Sequence, residues 1–104
     1  TGPTPYDLLL SALGACKSMT MRMYADHKGF PMERAIISLK HDKIHADDCA
    51  SCETQEGKVD RIETEIEVIG DMDEGTRQKI ADIAEKCPVH QSLKTEVLIE
   101  SRLK

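Results

Sequence analysis

The chain has 104 residues with 14 basic and 19 acidic side chains, a net charge of −5 and a pI near 5.3. It has no Lys/Arg run long enough to track phosphates, no tryptophan and only 3% aromatic residues, which argues against a nucleic-acid partner. No apolar run approaches the roughly 20 residues that span a bilayer, and residues 1–30 lack a basic segment leading into an apolar one. The expectation is one soluble, cytoplasmic domain over residues 1–104, large enough to bury a modest core.

"TGPTPYDLLLSALGACKSMTMRMYADHKGF" reads as a long helix. Thr4 suits the N-cap, Pro5 the first helical position, Asp7 the first turn and Gly29 the C-terminal stop. From Leu8 to Cys16 it is apolar on almost every side, as expected of a helix buried on most faces. "MERAIISLKHDKIHA" and "KVDRIETEIEVIG" read as strands flanking the polar connector "DDCASCETQEG", and so as an antiparallel hairpin. In the second strand Ile62, Ile66 and Val68 face inward, against a charged outer face. "DMDEGTRQKIADIAEK" reads as a second helix capped by Asp71 or Asp73, with a stripe of Ile80, Ile83, Ala84 and Cys87. Pro88 should end it near Cys87, "VHQSL" extends as a helical turn, and "TEVLIESRL" is expected to form a last strand. The order gives an α+β domain. So apolar a first helix exceeds what three strands cover, so part of it is expected to pack against something one chain does not supply.

On the expectation of a cytoplasmic chain, four cysteines point to reactive or metal-binding thiols rather than a disulfide framework. Cys16 lies on the most apolar part of helix one, and Cys87 at the end of the second helix's stripe. Helices packed together on one sheet would bring the two thiols near each other. A converged pair can reduce a peroxide in two steps, through a sulfenic acid and then a disulfide. Inert packing is the other use of buried cysteine. His41, His45, Cys49 and Cys52 could instead form a zinc site around a single C-x2-C, or the loop could be solvated or hold a local disulfide. His90 could act as a base, hold a thiolate by hydrogen bond, or satisfy helix-end carbonyls. Met19, Met21 and Met23 read as core filling or an apolar substrate wall.

Two motifs together, "TGPTPYDLLLSALGACKSMTMRMYA" and "IADIAEKCPVHQSL", resemble the OsmC/Ohr family, the osmotically induced and organic-hydroperoxide-resistance proteins. The middle segment is similar to the OsmC-like branch found alone or fused behind an α/β-hydrolase domain. The resemblance implies an α+β, OsmC/Ohr-like fold with a long buried helix and a second helix packed on an antiparallel sheet. It also implies strands preceding helix one, and an intertwined homodimer with two sites at the subunit interface. By position, Cys16 matches the peroxidatic cysteine and Cys87 the resolving one. The implied activity is a thiol-dependent reductase of small organic hydroperoxides, recycled by a dithiol reductant and needing no cofactor or metal. Active members place a Glu directly after the helix-starting Pro, to orient an Arg from the preceding strands; here that position is Tyr6, followed by Asp7. The alternative is an OsmC-fold dimer that binds zinc or a small ligand without peroxidase activity.

Overall fold

The structure, a computed structural model, describes residues 4–45 and 57–104. Helix α1 spans Pro5–Lys28. Its first turn is closed reciprocally: Thr4 Oγ1 accepts from the Asp7 amide at 3.1 Å, and an Asp7 carboxylate oxygen accepts from the Thr4 amide at 2.9 Å. At the other end Gly29 adopts φ 73°, ψ 25°, a left-handed conformation that costs glycine little, and its amide donates to the Ala25 and Asp26 carbonyls.

Strands β1 (Met32–His45) and β2 (Lys58–Gly70) form an antiparallel ribbon, with Met32 opposite Gly70, Ile37 opposite Ile66 and His45 opposite Lys58. The register shifts once, between Met32 and Arg34. Period-two alternation puts Ala35, Ile37, Leu39 and His41 on the same face as Ile62, Thr64, Ile66 and Val68. That face meets the helices. The other carries opposed charges such as Asp42 and Arg61, joined by two hydrogen bonds of 2.9 and 2.7 Å. Both groups are solvent-exposed or nearly so, so the pair sets register more than stability.

Two arginines tie the helices to the end of the ribbon away from the connector. Arg22 donates to the Met32 and Glu33 carbonyls at 2.9 and 3.1 Å, and Arg77 to the Gly70 and Met72 carbonyls at 2.8 and 2.6 Å. A planar fork with five donors suits carbonyls that the shifted, two-stranded ladder leaves free.

Helix α2 spans Glu74–Ile83; Asp73, one of the two expected caps, accepts from the Thr76 amide at 2.8 Å. A 3-10 turn follows at Ala84–Lys86, and α3 spans Pro88–Lys94. The core lies between the ribbon and α1–α2: Met21, Ala25, Met32, Val68, Ile80 and Ala84. Met21 and Ile80 are fully buried, which favours folding by about 1.5–3 kcal/mol for each side chain. α1 lies close to β1 at Gly14, where a Cβ would stand 2.9 Å from Leu39 Cδ1, the movable end of that side chain.

Helix one, the hairpin and helix two form where the sequence pattern puts them. The last strand does not: residues 95–104 pair with no other strand among the described residues, and Val97, Leu98, Ile99 and Leu103 are exposed. Alternation alone cannot make a strand without an edge to bond. Helix one is buried along one stripe, Leu13, Lys17, Met21 and Ala25, spaced by four. Leu8, Met19 and Met23 stay 61%, 65% and 70% exposed in the single chain.

Candidate functional site

Pro88 builds the site. A residue before proline is driven out of the helical region, and Cys87 accordingly sits at φ −65°, ψ 145° between two helical segments. Pro88 then starts α3 at its first position, where a missing amide hydrogen costs nothing. The chain therefore turns at Cys87, and its side chain points into the packed junction with α1, with no exposure. Its Sγ accepts from the His90 amide at 3.3 Å.

Cys16, half-buried on α1, lies beside it, and both thiols are free. Burial pushes the Cys87 thiol pKa above its ordinary value. The His90 amide opposes that rise, the neighbouring Cys16 adds to it, and the Lys17 charge again opposes it.

Lys17 is the residue that sequence reasoning missed. It is 2% exposed, on the buried stripe of α1. Its Nζ donates to the Ala84 carbonyl at 3.2 Å and meets His90 Nδ1 at 2.7 Å. An ammonium has no acceptor, so Nδ1 must be the unprotonated nitrogen and the ring proton sits on Nε2. Burial first, and then the Lys17 charge, lower the His90 pKa. These contacts differ from the expected roles of the His90 ring: the backbone amide, not the imidazole, reaches the Cys87 sulfur, and the ring meets Lys17 rather than a carbonyl. The available signal was a lysine four residues from both Leu13 and Met21 within an otherwise apolar stripe.

The arrangement supplies a half-buried cysteine beside a fully buried one, whose sulfur accepts from the His90 amide and whose turn Lys17 bonds on both sides. An open cleft of about 440 Å³ adjoins it, lined by Lys17, Ile62, Thr64, Ile66 and His90 among others.

The OsmC-like protein family model matches residues 1–102. The chain belongs to that family. The fold is similar to that of an organic hydroperoxide resistance protein OsmC from Legionella pneumophila, with a TM-score of 0.68 at 16% identity over 89% of this chain and 63% of that one. It is equally similar to an OsmC like protein from Mycoplasma pneumoniae, with a TM-score of 0.68 at 22% identity over 90% of this chain and 64% of that one. The chain therefore spans less than two-thirds of either structure. None of the curated proteins matches the sequence.

Tyr6, which stands where active family members are expected to place Glu, stacks on His41 with ring centroids 4.4 Å apart and 8° between planes. His41 Nε2 in turn lies 2.9 Å from an Asp60 carboxylate oxygen that Lys43 also reaches at 2.8 Å. These contacts clasp the start of α1 to the ribbon. Of the four candidate zinc ligands, His41 is engaged in that clasp, His45 lies at the end of β1, and Cys49 and Cys52 fall outside the described residues. No helix of the described residues is long and apolar enough to cross a membrane.

The neutral His90 makes stability depend on pH. Its folded pKa lies below 6.5, so the unfolded chain binds the proton first as pH falls. The contribution is present above pH 6.5 and is lost as pH drops through 6.5 toward the folded value. The urea midpoint should fall between pH 7.5 and 5.5, and His90→Gln, which keeps an acceptor for Lys17, should flatten that fall. An equal fall in the variant would remove His90 as its source.

Proposed function

We propose that the protein reduces small organic hydroperoxides through Cys16 and Cys87. One observation carries the reading: the two thiols meet across the α1–α3 junction, one reachable from solvent and one buried. In the first step the Cys16 thiolate attacks the terminal peroxide oxygen. The O–O bond breaks, an S–O bond forms, and a proton completes the alcohol that leaves, with Cys16 now a sulfenic acid. In the second step Cys87 attacks the Cys16 sulfur, a disulfide forms and water leaves. A dithiol reductant then restores both thiols by two exchange reactions. Exposure of Cys16 supports its taking the first role, because only an accessible sulfur meets substrate. The apolar residues around α1 favour an organic peroxide over hydrogen peroxide.

The test is turnover with dithiothreitol and cumene hydroperoxide. Cys16→Ser should abolish consumption, with a loss of at least about a thousandfold (roughly 4 kcal/mol in the barrier). With dithiothreitol left out and hydroperoxide in excess, Cys87→Ser should carry Cys16 past the sulfenic acid to overoxidised forms, where the intact pair stops at a disulfide. Steady turnover by Cys16→Ser would contradict the assignment.

The working form we infer is a homodimer. Leu8, Met19 and Met23 of α1, with Val97 and Ile99 of the C-terminal segment, present apolar surface that the single chain leaves open. Light scattering should give twice 11.6 kDa. A folded species of 11.6 kDa at micromolar concentration would count against it.

A further inference from the structure

The two acceptors of Lys17 stand on either side of Cys87. Ala84 precedes the cysteine by three residues and His90 follows it by three, and Nζ bonds both, at 3.2 and 2.7 Å. The ammonium thus spans the turn that carries the buried sulfur. The same side chain springs from the residue next to Cys16, so one turn of α1 presents both the cation and the partner thiol. Among the described residues Lys17 forms no ion pair with a carboxylate, so no fixed anion spends its charge.

We propose that Lys17 is a positioning residue for the second step of the reaction, holding the Cys87 turn in place and stabilising Cys87 as the thiolate that attacks oxidised Cys16. The inference rests on the peroxidase reading above. The step balances without an outside reagent: the Cys87 sulfur forms the S–S bond, the S–O bond of the Cys16 sulfenic acid breaks, and the proton released by Cys87 leaves with the hydroxide as water. Cys87 is oxidised and the Cys16 sulfur reduced. A sulfur with no exposure has no water to stabilise its anion, so the protein must supply the stabilisation, and among the described residues the His90 amide first, and then the Lys17 charge, oppose the effect of burial at Cys87.

The groups that set the pH response surround the turn. Cys16 and Lys17 face it from α1, Glu85 from the 3-10 turn, and His90 and Lys94 from α3. Asp82 of α2 lies across the adjoining cleft, where β2 presents the uncharged Ile62, Thr64 and Ile66, and Asp60 of β2 lines a second cleft with His90 and Lys94.

The test uses the whole chain in two backgrounds. With Cys16, Cys49 and Cys52 changed to Ser, ultraviolet thiolate absorbance titrates Cys87 alone. Lys17→Gln, which keeps a donor for His90 and loses the charge, should raise the midpoint by about one unit, and Lys17→Arg should restore most of the shift. Lys17→Met provides the same readout if the Gln variant fails to fold, as judged by circular dichroism. With only Cys49 and Cys52 changed, one equivalent of cumene hydroperoxide should leave Cys16 sulfenic acid in Lys17→Gln, trapped by dimedone, with disulfide formation slowed about tenfold near neutral pH. An unchanged midpoint in folded Lys17→Gln or Lys17→Met overturns the role of Lys17 whether or not peroxide is consumed. A raised midpoint in a chain that consumes no hydroperoxide supports the Lys17–Cys87 coupling and overturns the peroxidase reading instead.

Discussion

A lysine taken out of water must find acceptors, because an unpaired buried charge costs several kcal/mol. Lys17 finds them in the Ala84 carbonyl and the His90 ring, and that requirement fixes how α1, the 3-10 turn and α3 meet. Apolar packing brings the helices onto the ribbon through Met21, Ala25, Ile80 and Ala84, but it is tolerant of small rotations. A hydrogen-bonded charge is less tolerant. It sets the rotation of α1 that brings Cys16 to the Cys87 turn.

The other constraint is local. Pro88 cannot continue the preceding helix and holds Cys87 extended, so the sulfur is aimed by the backbone itself and caps the first turn of α3. One end of α1 is anchored by Tyr6 on His41, a stack of the kind worth about 0.5–1.5 kcal/mol beyond its area. The other is anchored by Arg22 on the start of β1. A helix held at both ends and bonded at its middle carries Cys16 on a rigid element, as the proposed chemistry between two particular sulfurs requires.

Much of this was legible in the sequence, because strong local signals agreed. The Thr4–Pro5–Asp7 start and Gly29 stop define α1, the alternation of "KVDRIETEIEVIG" defines β2, and Asp73 defines the start of α2. The two cysteines could be nominated because Cys16 lay in the most apolar part of helix one and Cys87 at the end of the second helix's apolar stripe. Lys17 was overlooked because a charge inside an apolar helix reads as solvated unless its acceptors are known, and those lie more than 60 residues away in sequence. Tyr6 read only as a departure from a pattern; its ring partner on β1 is visible only in three dimensions. The C-terminal segment misled for the opposite reason. Its alternation is real, but a strand is a property of a pair, and no second edge meets it among the described residues.

The proposed chemistry belongs to the pair at the helix junction and not to the C-x2-C connector. Peptide mapping by mass spectrometry, after one equivalent of cumene hydroperoxide and alkylation of the remaining thiols, decides between them. The expected product is a Cys16–Cys87 disulfide with Cys49 and Cys52 alkylated. A Cys49–Cys52 disulfide with Cys16 still alkylated as a free thiol would contradict it.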